Sequence, residues 1–354
     1  MPAMNVLARA LHHVRTQGMG RALRHRDYAL WTATTWLGTI GMWMQRIGIG
    51  WLTWELTHSA FWLGLVVAAQ ALPAVLLIPF TGAVADRVDR LKLMRVTQAL
   101  TILLNVLLAG LTIAGLITVE LLAAISLASG IVMTFNMPAR MTITPSLVPH
   151  ADLGPAIAVG SFVFTSSTFI GPAIGGVLIE HGGVGLCFAA NAATHLPFYA
   201  ILFVIKLRDR ENRRSKETGI LADVIDGVTY AARHPGIGPV LVLALLTSLL
   251  LQPISDLVPG FVDTVFDAGP AVLGLMMSAF GVGGMAGALW MANRPRLEGT
   301  ARIYFIAGGI SALATLGFAS VTAVYPAMAL MAVMGFAGSA RGNAAQRSRT
   351  PILF

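Results

Sequence analysis

The chain has 354 residues, of which 56% are hydrophobic and 11% charged, and its mean hydropathy is +0.75. A soluble domain carries about 25% charged residues, so a water-soluble protein is excluded, having too little polar surface to face solvent. The net charge of +8 would suit nucleic acid, but the basic residues fall in alternate loops between apolar runs and form no groove or patch, so nucleic-acid binding is excluded too.

Residues 1–27 carry Arg9, Arg15, Arg21, Arg24 and Arg26, with Val6, Leu7, Ala10, Leu11 and Val14 at helical spacing. This segment reads either as an amphipathic helix on an anionic membrane surface or as a solvated basic tail. Ten apolar runs follow, at 28–54, 60–85, 92–117, 120–141, 153–179, 184–206, 237–262, 270–292, 302–320 and 323–340. Most approach the roughly 20 residues needed to cross hydrocarbon. They are continuous rather than alternating, which predicts helices and not a barrel. The first run is too long for a cleaved signal peptide and is expected to be retained.

Orientation follows from Lys and Arg. They crowd the N-terminus, the 86–95 loop (Arg87, Arg90, Lys92, Arg95), the 207–236 loop and the 293–302 loop. The opposite loops hold Glu55, His58, Glu120, Glu180, His181, Asp263 and Asp267 but no Lys or Arg. The asymmetry predicts a cytoplasmic N-terminus.

The chain also repeats itself. Leu63-Gly64-Leu65 recurs as Leu273-Gly274-Leu275, an offset of 210 residues that also carries Tyr28, at the start of the first run, onto Gly238. The pattern predicts two parallel six-helix halves, 28–206 and 237–340, joined by a polar linker at 207–236. Carried back by the same offset, residue 354 corresponds to residue 144, so the second half is expected to hold four helices of six. After Ala340 the apolar pattern gives way to Arg341, Arg347 and Arg349 within nine residues. At about 2.5–3.5 kcal/mol per central arginine, residues 341–354 are expected to be a polar tail. A truncated or frame-shifted end and a natural cytoplasmic tail both account for it.

The most specific motif joins the second and third runs. Gly82-Ala83-Val84-Ala85-Asp86-Arg87-Val88-Asp89-Arg90-Leu91-Lys92 resembles the G-x-x-x-D-R-x-G-R-[RK] loop of the major facilitator superfamily. Asp89 departs from it, standing where the common form has glycine. The resemblance implies a cytoplasmic latch between the two halves, with Arg140 at the inner end of the fourth run as a candidate partner for Asp86. In the fifth run, Gly160 and then Gly171-Pro172-Ala173-Ile174-Gly175-Gly176 resemble the G-P-x-x-G-G element of exporters in that superfamily. Gly171 and Gly175 give a small-xxx-small face, and Pro172 removes a backbone donor. Further stretches, such as Trp51-Leu52-Thr53-Trp54-Glu55-Leu56-Thr57 and Pro138-Ala139-Arg140, resemble its drug and siderophore exporters.

Polar side chains inside the bilayer are costly and are functional candidates by default. Arg46 in the first run and Asp256 in the seventh are expected to line a central cavity, with Asp256 the first choice for a titrating carboxylate. Gln70, Asn136, His195 and Gln252 offer further hydrogen-bonding groups, although a helix–helix hydrogen bond is the simpler account of each. Gly281-Val282-Gly283-Gly284-Met285-Ala286 fits a dinucleotide fingerprint but follows no strand and is set aside. With one cysteine, Cys187, and no Cys/His cluster, no metal, cofactor or intrachain disulfide is expected.

The expectation is an all-α membrane protein of the major facilitator fold, with about ten of twelve helices. It is expected to lie in a bacterial-type inner membrane and to be no enzyme. The resemblance implies proton-coupled export of small amphipathic or lipophilic compounds by alternating access, with the substrate, protons and lipid as partners. The competing expectation is a shortened chain of that family that does not transport.

Overall fold

The computed structural model describes residues 18–205, 207, 255–294 and 300–348. Ten helices are described: α1 (Arg26–Thr57), α2 (Ala60–Arg87), α3 (Arg90–Ile113), α4 (Val119–Leu147), α5 (153–182), α6 (184–201), α7 (255–264), α8 (Pro270–Ala292), α9 (Thr300–Ser320) and α10 (Val324–Ser348). Short 3-10 turns at Met19–Arg24 and His150–Asp152 precede α1 and α5. No strand occurs among the described residues. Several helices, among them α3, α4, α8 and the continuous stretch that forms α5 and α6, are long and apolar enough to cross a membrane.

Local chemistry sets the ends of these elements. His58 takes a left-handed conformation and returns its N–H to Trp54, closing α1. Asp89 is the N-cap of α3, its carboxylate accepting from the Lys92 N–H at 2.8 Å. Its departure from the family's glycine therefore satisfies an orphan donor at a helix start. Thr118 caps α4 in the same way. α5 and α6 are separated by a single residue, Gly183, at φ 76° and ψ 169°, a region open essentially to glycine alone. Two elements outrun the apolar pattern. α4 continues past 141 to Leu147, and α10 continues through Arg341 to Ser348, where Ala344 packs beside Met291, Tyr304, Ala337 and Ala340. A polar stretch remains helical here because small residues every three or four positions still fit a neighbouring helix.

α1 lies against α5 and α6, α2 against α4, and α3 against α4 and α6. α8 and α9 both pack on α10, and α5 crosses α8 to join the two groups. The hydrophobic cores show how the groups sit. One cluster contains Met44, Leu52, Val66, Leu108, Phe188, Val262, Leu273, Phe318 and Met331, so it draws on both groups. It fills the end of the bundle that carries the α1–α2 and α7–α8 connections. At the opposite end the core divides. Tyr28, Trp31, Met94, Ile143 and Phe198 form one cluster within α1–α6, and the Met291–Ala344 cluster lies within α8–α10. Among the described residues, the groups share a core at one end and keep separate cores at the other.

Side-chain exposure fits a lipid surround. Phe61, Val75, Ile113, Leu313 and Tyr325 all point outward, an apolar surface that water would penalise and hydrocarbon does not. Many buried Thr and Ser hydroxyls return to carbonyls one turn back, as Thr39 does to Thr35 and Thr53 to Ile49, which satisfies those polar atoms within the helix.

Candidate functional site

α5 brings the two groups together because its small residues permit it. A Cβ added at Gly171 would lie 2.5 Å from the Trp43 Cβ, and one at Gly175 would lie 3.1 Å from the Met44 Cα, so both glycines seat α5 on α1. Gly176 faces the other way. A Cβ there would sit 2.8 Å from the Gly274 Cα and 2.6 Å from the Pro270 carbonyl oxygen, so α5 and α8 cross backbone to backbone. Gly160 stands apart from this packing, on an open face with nothing within 4 Å.

Polar contacts reinforce the joined end. Ser278 donates to the Phe169 carbonyl at 2.7 Å, near the middle of the bundle. Towards the α1–α2 end, Trp54 Nε1 donates to Asp263 at 2.8 Å, and Glu180 accepts from the Ala271 N–H at 3.3 Å. Between them, Arg46 Nη2 donates to Asp256 Oδ1 at 2.7 Å, while the Arg46 guanidinium lies over the Trp43 ring, 5.5 Å from its centre.

Arg46 borders two adjoining cavities between the groups, and Asp256 borders the first of them. One, of about 300 Å³, is lined by Arg46, Gln70, Pro172, Asp256 and Leu273 among others. The other, of about 350 Å³, reaches from Arg46, Phe164 and Pro172 to Met277, Phe280 and Arg341. Volumes of this size suit a small organic molecule, and their walls are mostly apolar with a few charged groups. Two sequence candidates, Arg46 and Asp256, thus meet each other as well as the cavity.

Most of the remaining candidates gather in a third, smaller cavity of about 100 Å³ inside the first group. There Gln98 donates to His195 Nδ1 at 2.8 Å, and Asn136 donates to Thr97 Oγ1 at 2.9 Å. Arg140 reaches Thr39 Oγ1 at 3.4 Å. Gln70 lines both this cavity and the first one between the groups. In the latch motif, Arg90 and Lys92 open α3 behind the Asp89 cap. Gly82, Asp86 and Arg87 belong to the end of α2 where the backbone alone is described, and Gln252 lies outside the described residues. Trp54, Asp263, Glu180, Gln98 and Arg341 were not sequence candidates for the site. Asp263 and Glu180 appeared as acidic groups in the expected lysine- and arginine-free loops, Trp54 within an exporter-like stretch and Arg341 at the start of the expected polar tail.

A protein-family model described as transmembrane secretion effector matches residues 22–341. The chain belongs to that family, within the major facilitator superfamily. It is 24% identical to the Staphyloferrin A transporter of Staphylococcus aureus over 286 residues, covering 80% of this chain and 72% of that one. It is 25% identical to the multidrug efflux pump Tap of Mycolicibacterium fortuitum over 299 residues, covering 81% and 71%. The fold is similar to a bacterial homologue of the lysosomal transporter Spinster in an inward-facing conformation, with a TM-score of 0.67 at 15% identity over 91% of this chain and 74% of that one. It is also similar to a bacterial ferroportin homologue in an inward-facing state, with a TM-score of 0.66 at 14% identity over 93% and 84%. This major facilitator protein is therefore a membrane transporter and not an enzyme.

Proposed function

We propose that this transporter exports small amphipathic or lipophilic compounds, drug-like or siderophore-like, in exchange for protons by alternating access. Residues 28–206 and 237–340 act as the two moving halves, with 207–236 as their linker. The N-terminus is cytoplasmic in a bacterial-type inner membrane, so the α1–α2 end faces outward. The relatives' names support a small molecule as cargo, one being a Staphyloferrin A transporter, and the other, a multidrug efflux pump, supports export.

The observation that carries the reading is the core that is shared at the outer end and divided at the inner one, with Arg46 and Asp256 paired across the cavity between. The arrangement is that of a carrier open to the cytoplasm. Asp256 holds either Arg46 or a proton. Ionised, it helps keep the outer end closed in the empty carrier. Protonated, it releases Arg46 and lets the halves rock. Arg46 is about half exposed towards the cavity, and ion pairs with that much solvent contribute only about 0.2–1 kcal/mol. Such a pair biases an equilibrium without locking it. The apolar walls of the cavity suit a lipophilic body, and its charged groups suit a polar one.

The test uses inside-out membrane vesicles acidified by respiration, with the quench of a pH-sensitive acridine dye as readout. Ethidium, erythromycin and a fluorescent carboxylate are added in turn. At least one compound is expected to relieve the quench in vesicles containing the chain and not in vesicles lacking it. Failure of a broad panel of amphipathic compounds, with the protein present in the membrane, would contradict proton-coupled export.

A further inference from the structure

We propose that the cavity inside the first helical group, built around Arg140, binds a carboxylate carried by the transported compound. The identity of that compound as cargo rests on the export reading above, whereas the site itself rests on geometry.

Arg140 is a cation in a membrane-embedded helix, partly buried, with its accessible part on a cavity of about 100 Å³. A guanidinium has five N–H donors. Among the described residues, the one hydrogen bond it makes is the long contact to Thr39, and no carboxylate lies within ion-pair distance. With no described carboxylate beside it, holding the cation in such a place is costly, and the cost falls when an anion joins it. The remaining lining supplies neutral donors. Gln98 donates its amide to His195 Nδ1, which leaves the ring proton on His195 Nε2. The Asn105 amide nitrogen is buried with no partner.

One guanidinium surrounded by neutral amides and hydroxyls matches a planar, singly charged oxyanion, which it can hold through two parallel hydrogen bonds. A phosphate dianion would remain half-compensated. Met42, Met133 and Phe198 complete the wall, so an apolar group attached to the carboxylate is accommodated. Gln70, shared with the cavity that holds Arg46 and Asp256, sets the site beside the path between the halves.

The experiment is an equilibrium titration of the purified full chain in lipid nanodiscs, read by saturation-transfer NMR and without any gradient, so it is independent of whether transport occurs. The probes are benzoate, its neutral isostere benzamide, and inorganic phosphate. Benzoate is expected to bind saturably, with benzamide and phosphate at least about tenfold weaker, since a charge-assisted pair is being lost. Arg140→Gln is expected to weaken benzoate by about tenfold or more. Arg140→Lys keeps the charge but not the planar fork, falls between the two, and carries the test if the glutamine variant does not fold. Equal binding of benzoate and benzamide, tighter binding of phosphate, or unchanged benzoate affinity in the Arg140 variants would overturn the proposal. So would a loss of benzoate binding confined to Arg46→Gln, which would place the anion between the halves instead.

Discussion

Arg46 and Asp256 form an ion pair at 2.7 Å and stand 210 positions apart in the chain, the same offset that relates Leu63 to Leu273. The repeat is visible in burial as well. Leu63 and Leu273 are both fully buried, whereas Leu65 and Leu275, two residues on, are both exposed. Around a two-fold axis a residue close to the axis meets its own equivalent. Arg46 and Asp256 are such equivalents, and their opposite charges turn a position that would repel in an identical pair into one that attracts.

Asp256→Asn removes the charge that holds Arg46 and the group proposed to take the proton. Gradient-driven transport is expected to fall to the level of vesicles lacking the chain, with insertion into the membrane unchanged. Transport rates in vesicles normalised to protein content check this. Preserved gradient-driven transport would remove Asp256 from the coupling mechanism.

Gly50 and Pro259 touch across the joined end, where a Cβ on Gly50 would lie 3.2 Å from the Pro259 Cγ. Paired cysteines at these positions, in a background lacking Cys187, are expected to cross-link readily on oxidation and to stop transport reversibly, with reductant restoring it. Gel mobility and transport are followed on the same sample. Full cross-linking with undiminished transport would mean that α1 and α7 need not separate there.

Gly176→Ala inserts a methyl group where α5 and α8 already meet backbone to backbone. A cost of about 1–3 kcal/mol is expected for overpacking of this kind. Gly160→Ala, on an open helical face, is expected to be neutral or stabilising by up to about 1 kcal/mol. Thermal unfolding of the two variants side by side tests whether the motif's glycines act separately, as the packing indicates.

Two local features give smaller effects. Gly183→Ala forces a side chain into a backbone region reserved for glycine, at a cost of about 1–3 kcal/mol. Asp89→Ala loses the α3 cap, worth about 1 kcal/mol, whereas Asp89→Gly, the family's own residue, costs a few tenths. Equal melting temperatures for the Ala and Gly variants at position 89 would remove the capping explanation.

The helices were legible because each apolar run is set by the thickness of the bilayer, and Lys and Arg mark the loops. Their ends were less so. α10 passes 340 because small residues continue along one face after the hydropathy has fallen, and α4 passes 141 with Pro145 inside the helix. Arg46 and Asp256 could be singled out as intramembrane charges. Their direct pairing needed the crossing of α1 and α7. The partners of His195 and Asp263 were not legible at all, since Gln98 and Trp54 lie 97 and 209 residues away on helices whose rotation no local pattern records.

The most direct test of the account is a spin-label distance across the joined end, between Ala60→Cys on α2 and Val265→Cys just past α7, in a background lacking Cys187. In lipid the otherwise unaltered chain is expected to give a short, narrow distribution. Adding Asp256→Asn is expected to bring in a longer population as the halves separate at that end. An unchanged distribution after the pair is broken would show that Arg46 and Asp256 do not govern closure, and the switching role proposed for them would fall.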